Sequence, residues 1–99
     1  MTGAAAKVAP GTLKRTLAIA NKRGLHARAA AKFVRTAGQY DAAVRVAFKG
    51  QEVSGLSIMG LMMLAAGVGS TIELSCSGRQ AMEAMVALSA LVEGKFGEE

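Results

Sequence analysis

The chain has 99 residues, of which 52% are hydrophobic and 4% aromatic, and it carries a formal net charge of +5. This length and composition predict one domain with an aliphatic core. The single cysteine, Cys76, and the single histidine, His26, exclude an internal disulfide and a metal site built from several such ligands. The low cysteine content is typical of a reducing compartment, so we expect a cytoplasmic protein. No apolar run resembles an export signal or is long enough to span a bilayer, so no membrane insertion is expected.

The first part of the chain changes from a strand pattern to a helix pattern. Residues 1–12 are predicted to form a flexible tail, and residues 13–99 the folded domain. Alternating apolar side chains predict a strand over 13–20. After a turn cluster the apolar spacing becomes helical over 27–38, where Gly38 is typical of a helix end.

The second part of the chain adds a hairpin, a strand and two helices. The predicted segments are strands over 42–48 and 51–54, a helix over 58–66 with Ser57 as its N-cap, a strand over 70–76, and a helix from residue 77 or 78 to about 93. The resulting order, β-α-β-β-α-β-α, predicts a two-layer α/β sandwich in which the helices cover one face of the sheet and the other face is wet.

His26 lies where the first turn becomes a helix, and its neighbours suit an anion. The first backbone N–H groups of a helix lack internal partners, and the helix dipole is positive at that end. Arg28 can add charge-assisted hydrogen bonds, and Gly24 permits backbone conformations that other residues resist. Since an imidazole is also a nucleophile near neutral pH, this pattern predicts a histidine that accepts a phosphoryl group.

The sequence around His26 supplies no second catalytic group. It contains no carboxylate pair, Walker loop or dinucleotide-binding glycine motif. A nucleophile beside an anion site is then typical of a group carrier rather than an enzyme, and neither a cofactor nor a metal is expected. Two alternatives stay open: a small basic nucleic-acid-binding domain, although aromatic stacking residues are missing, and a regulatory interaction domain that is never phosphorylated.

Two motifs resemble those of one known family, in the same order along the chain. Residues 24–28 (GLHAR), followed by 30–34 (AAKFV), resemble an active-site signature, and residues 57–62 (SIMGLM) resemble a regulatory-serine motif. The family is HPr, the histidine-containing phosphocarriers of the bacterial phosphotransferase system. The resemblance covers about residues 13–94 and implies an open-faced β-sandwich, with three helices on one face of a four-stranded antiparallel sheet.

The resemblance also implies roles for individual residues. His26 would accept a phosphoryl group through Nδ1 from enzyme I and pass it to A-type acceptor domains, for sugar transport or for regulation. Arg28 would stabilise the phosphate, and Ser57 would be modified by an HPr kinase/phosphorylase. The protein would act as a monomer and would contact its partners through residues near both motifs: Gly24, Ala27, Ile58, Met59 and Met62.

One position departs from the family pattern. A proline usually follows the arginine, and here that residue is Ala29. Proline in the first helical turn presets φ and removes a donor that would be unpaired anyway, so alanine restores one N–H. The change resembles HPr-like proteins of alphaproteobacteria, in which the pathway is often regulatory, and it points to a regulatory or nitrogen-related variant.

The helix after Ser57 is more apolar than so short a helix can bury. About half of the side chains over 58–64 must therefore be exposed, and an exposed methionine-rich surface is typical of a partner-binding site. Met62 or Met63 is expected to fill gaps in the core, and Cys76 to be a buried strand residue.

Overall fold

The computed structural model describes residues 11–98. Its strands form one antiparallel sheet in the order β1-β4-β2-β3. The strands are β1 (Leu13–Ala18), β2 (Ala43–Phe48), β3 (Gln51–Ser54) and β4 (Thr71–Ser77), and the helices are α1 (Ala27–Ala37), α2 (Ile58–Met63) and α3 (Ala81–Glu93). The predicted element order and open-faced sandwich are confirmed. Most of the predicted tail, residues 1–10, lies outside the described residues.

Strand β4 shows which face of the sheet is buried. Ile72, Leu74 and Cys76 are buried, whereas Thr71 and Glu73 between them are exposed. Burial raises the pKa of the Cys76 thiol by desolvation, as expected for an inert core cysteine.

The opposite face of the sheet is wet, as predicted, and carries charged pairs. Lys14 Nζ lies 4.0 Å from Glu73 Oε1, and Arg45 Nη2 lies 3.6 Å from Glu52 Oε1. All four side chains are about half exposed, so solvent screens these pairs and each adds little to stability.

Helices α1 and α3 cover the apolar face. Phe33 of α1 and Leu88 and Val92 of α3 are fully buried, and each such side chain contributes about 1.5–3 kcal/mol of transfer free energy. The buried stripe predicted for the last helix is confirmed, since Ala81 and Met85 are buried as well. This packing fixes α1 on the sheet and so fixes the position of its first residue.

Arg15 breaks the alternation of apolar and polar residues in β1, because its side chain forms an ion pair with a residue of α3. Its Nη2 donates to Glu93 Oε2 of α3 at 2.9 Å. The residue therefore lies on the helix side of an edge strand, where a long side chain reaches solvent past the end of α3.

The predicted end of the short helix is wrong. Helix α2 ends at Met63 instead of residue 66, because Ala65 adopts a left-handed conformation with φ 56°. This turn presents the carbonyl of Ala66 to the N–H of Leu25, at 3.0 Å. A tertiary hydrogen bond thus takes the place of a further helical turn, and it joins the end of α2 to the loop before α1.

Two other predicted boundaries are corrected. Helix α3 begins at Ala81 rather than at 77 or 78, because Ser77 still pairs with Ala43 and Gly78 is left-handed, with φ 108°. Strand β1 ends at Ala18 instead of residue 20.

A C-terminal turn follows α3 and was not predicted. Gly94 ends the helix as expected, but residues 95–97 then form a tight left-handed turn, in which Lys95 and Phe96 both have positive φ. A left-handed phenylalanine is costly, and here its side chain is fully buried. Burial of Phe96 holds the chain against the domain and brings the next residues towards α1.

Candidate functional site

His26 is the N-cap residue of α1. Its backbone is extended, with φ −75° and ψ 178°, and within residues 11–98 its side chain makes no capping hydrogen bond. The first helical hydrogen bond runs from the N–H of Ala30 to the carbonyl of His26, at 2.9 Å. The N–H groups of residues 27–29 therefore lie before the helical ladder, and they give this end of α1 a partial positive charge. Ala29, at the position where the pattern that the sequence resembles usually has proline, contributes one of these donors.

The loop before His26 is held against the end of α2. Gly24 has φ 65°, and a Cβ at this position would lie 2.5 Å from the carbonyl oxygen of Ala66. The neighbouring Leu25 is buried and donates its N–H to that same oxygen. Gly24 is itself buried, so it supports the conformation of the loop below the surface of the site. Its contact with partners stays a prediction.

The imidazole of His26 contacts a carboxylate from the C-terminal turn. Its Nε2 hydrogen-bonds to Oε2 of Glu98, and both side chains are largely buried, with 15% and 21% of their surfaces exposed. The other carboxylate oxygen, Oε1, accepts from Nδ2 of Asn21 at 3.1 Å. The hydrogen bond from His26, and then that from Asn21, holds the pKa of the Glu98 carboxyl below its usual value.

Asn21 joins this carboxylate to the loop. The residue is fully buried, and its Nδ2 also donates to the carbonyl of Gly24 at 2.8 Å. Asparagine commonly hydrogen-bonds to the backbone of its own turn, and this turn was predicted without a role for the side chain.

Basic side chains lie around Glu98, the carboxylate that His26 contacts. A surface cleft of about 280 Å³ is lined by Lys22, Arg23, Arg28 and Glu98, and each of the three cations is exposed. Arg28 thus shares a cleft with the carboxylate that His26 contacts, and its guanidinium can form charge-assisted hydrogen bonds to an anion. Among the described residues no cluster of acidic, histidine or cysteine side chains could hold a metal ion.

Ser57 is the N-cap of α2, as predicted. Its Oγ accepts a hydrogen bond from the N–H of Gly60 at 2.9 Å. A Cβ on Gly60 would lie 2.9 Å from the same Oγ, so the glycine leaves room for the cap. Helix α2 packs against α1, which places the serine motif beside the helix that carries His26.

The exposed side of α2 forms an apolar patch, defined here as Ile58, Met59, Met62 and Met63. Their exposed fractions are 42%, 66%, 38% and 72%. Leu61 is buried instead, so four of the six helix residues are exposed, somewhat more than the predicted half. The expectation that Met62 or Met63 fills the core is wrong, because Leu61 and the C-cap residue Leu64 already occupy the buried side.

Comparison with known proteins assigns the chain to a family. The family model described as "PTS HPr component phosphorylation site" matches residues 13–94. The chain belongs to the HPr family. It is 50% identical to the phosphocarrier protein HPr of Cupriavidus necator, over 87% of this chain and 97% of that protein. It is also 43% identical to the phosphocarrier protein NPr of Shewanella violacea, over 87% of this chain and 94% of the relative.

Solved structures agree with the family. The crystal structure of HPr-C-His from Thermoanaerobacter tengcongensis superposes with a TM-score of 0.84 at 44% sequence identity, covering 88% of this chain and 98% of that one. Membership in the HPr family supports a phosphocarrier of the phosphotransferase system and gives no support to the nucleic-acid-binding alternative. No helix within residues 11–98 is long and apolar enough to cross a membrane.

Arg28 follows His26 by two residues, in the first turn of α1, and the structure adds residues that sequence reasoning missed. The missed residues are Asn21, Lys32 and Glu98. Lys32 Nζ donates to the carbonyl of Phe96 at 2.7 Å, so it holds the C-terminal turn in place. The acidic residue lies 72 positions from the histidine along the chain, and no local spacing relates the two.

Proposed function

We propose that this HPr-family protein carries a phosphoryl group on His26, which it takes from enzyme I and passes to an A-type acceptor domain. The supporting observation is that His26 is the N-cap residue of α1 and that, within residues 11–98, its ring makes no capping hydrogen bond to the helix. An attached phosphate would lie close to the unpaired N–H groups of α1 and to the cations of the cleft.

The transfer needs no acid or base from this chain. The Nδ1 lone pair attacks the phosphorus of the phosphorylated donor, and the Nδ1–P bond forms as the bond from phosphorus to the donor's leaving atom breaks. The bonding pair stays with that leaving atom, and the proton on Nε2 does not move. Arg28 and the N-terminus of α1 balance the phosphate charge, and the reverse sequence delivers the group to the acceptor.

The carrier role is tested by incubation with a cognate enzyme I and phosphoenolpyruvate. We expect one phosphate per chain, labile in acid and stable in alkali, which His26→Ala abolishes. Arg28→Ala should slow the reaction about tenfold or more, since a charge-assisted contact is lost, while Arg35→Ala, an exposed cation on the same helix, should not. Phosphate uptake by His26→Ala at the wild-type level would refute the proposal.

To identify the acceptor, the phosphorylated protein is mixed with candidate A-type domains and the rate of phosphoryl transfer to each is measured. The regulatory variant indicated by Ala29 predicts faster transfer to an A-type domain of the nitrogen-related branch than to one for sugar uptake. Preferential transfer to the sugar-uptake domain would overturn this assignment but not the carrier role.

We further propose that Ser57 is a regulatory phosphorylation site. Its support is the serine motif and its place at the start of α2, next to the apolar patch. A phosphate at a helix N-terminus is electrostatically tolerated, so the added charge would act on docking rather than on folding. The test uses ATP and an HPr kinase/phosphorylase: we expect an acid-stable phosphate that is absent in Ser57→Ala and present in Ser70→Ala.

A further inference from the structure

We infer that Glu98 is a positioning residue for phosphoryl transfer, which accepts a hydrogen bond from Nε2–H of His26 and so leaves the reactive lone pair on Nδ1. The inference rests on the proposed function of His26. It concerns a residue beyond the stretch matched by the family model, which ends at residue 94.

The contact is built into the fold at several points. Phe96, two residues before Glu98, is fully buried. The carbonyl of Phe96 accepts from Lys32 of α1 at 2.7 Å, and the Glu98 carboxylate also accepts from the buried Asn21. These anchors hold the carboxylate against the same helix and loop that hold the histidine.

The chemistry of a carboxylate decides which ring nitrogen carries the proton. An ionised carboxylate can only accept hydrogen bonds, and it is Nε2 that faces it. A neutral imidazole has one N–H and one lone pair, so the lone pair lies on Nδ1. The hydrogen bonds from His26 and Asn21, and then the nearby charge of Arg23, favour its ionised form.

The same contact suits the transfer step. As Nδ1 forms its bond to phosphorus, the ring gains positive charge, and a carboxylate on the opposite nitrogen stabilises that charge. Oriented imidazoles in other proteins use a carboxylate on the second ring nitrogen in this way. Glu98 never touches the phosphoryl group, so it acts through His26.

The first test reads the tautomer without any phosphorylation. We expect ¹⁵N NMR of the full chain at pH 8 to show Nε2 protonated and its proton protected from exchange with solvent. Glu98→Ala and the isosteric Glu98→Gln should raise the Nδ1–H population at least threefold and abolish that protection. Glu83→Gln, which removes the same charge from an exposed position on α3, should leave both unchanged. Unchanged tautomer populations in both Glu98 variants would overturn the inference.

The second test measures the initial rate of phosphorylation by enzyme I. Losing a partner that orients an imidazole should slow the reaction about tenfold, with the phosphate still on His26, in both Glu98 variants and not in Glu83→Gln. Wild-type rates in the Glu98 variants would overturn the positioning role while leaving the carrier function intact. A wild-type protein that takes up no phosphate would instead overturn the proposed function, and the NMR result alone would then judge the tautomer.

Discussion

Lys32 Nζ donates a hydrogen bond to the backbone carbonyl of Phe96 at 2.7 Å, and this bond ties the C-terminal turn to the helix that begins at His26. Because a cation-to-carbonyl bond is worth about 1.5–3 kcal/mol, Lys32→Met should loosen the turn. We expect faster hydrogen exchange of the amides of Gly97 and Glu98, which donate within the turn, by about tenfold or more. Arg35→Met is the matched control on the same helix, and equal exchange in both variants would contradict the prediction.

Two effects require glycine at position 24, a positive φ and a close backbone contact, and a comparison with Gly50 separates them. A side chain there suffers both the positive φ and a clash with the carbonyl of Ala66, whereas Gly50 has φ 80° and open space around it. A left-handed alanine costs about 1–2 kcal/mol. Gly50→Ala should therefore lower the free energy of unfolding by about that amount, and Gly24→Ala by clearly more.

The measurement for the glycine pair is urea unfolding of both variants beside the wild-type protein. The clash at Gly24 involves backbone atoms, so a rotamer change cannot relieve it. Equal losses of unfolding free energy in the two variants would show that φ alone matters at Gly24.

The unmodified Ser57 side chain contributes to stability, separately from its proposed regulatory role. Its Oγ caps α2 through the N–H of Gly60, and loss of such a cap costs about 1 kcal/mol. We expect Ser57→Ala to lower the unfolding free energy by this amount and Ser57→Asp, which keeps an acceptor, to retain most of it. Ser70→Ala serves as the control in the same denaturation series. If Ser57→Ala has the wild-type free energy of unfolding, the cap does not stabilise the protein.

The sequence was sufficient for the parts of the fold that depend on local patterns. Alternation identified the buried residues of β4, and helical spacing identified the stripe of α3, because burial follows the period of each element. The end of α2 and the start of α3 were missed, since a left-handed Ala65 and a continued β4 depend on tertiary contacts.

The same division applies to the site. His26 and Arg28 lie in one short motif, so spacing and resemblance both pointed to them. Glu98 reaches the histidine only because Phe96 is buried and Lys32 binds its carbonyl. No period or motif encodes that contact, and only the folded chain reveals it.

The contact between His26 and Glu98 predicts a pH dependence with a definite sign. The pKa of the Glu98 carboxyl is lowered mainly by the hydrogen bond from His26. A carboxyl whose pKa is lower in the folded chain than in the unfolded chain stabilises the folded chain at any pH above the unfolded-state pKa, which is about 4.3 for glutamate. This stabilisation is lost as the pH falls through the lowered pKa of the folded chain. The C-terminal turn should therefore loosen in acid and not in neutral solution.

The ¹³C shift of the Glu98 carboxyl, followed against pH, checks this sign. In His26→Ala the titration midpoint should rise towards that of an ordinary glutamate, because the largest cause of the lowering is gone. The exposed Glu83 carboxyl, which lies outside the site, is the internal reference. A midpoint that does not change in His26→Ala would contradict the assignment of the contact.

If enzyme I is the phosphoryl donor, as proposed, we expect it to dock on the apolar patch of α2. Met59 and Met82 are similarly exposed, at 66% and 60%, but Met59 lies on α2, beside the site, and Met82 on α3. Burying a methionine at an interface contributes about 1.5–3 kcal/mol, so Met59→Ser should raise the KM of enzyme I for this protein about tenfold or more and leave kcat nearly unchanged. Met82→Ser should change neither. The dependence of the initial phosphorylation rate on carrier concentration gives both constants, and an equal rise in KM for the two variants would place the docking surface elsewhere.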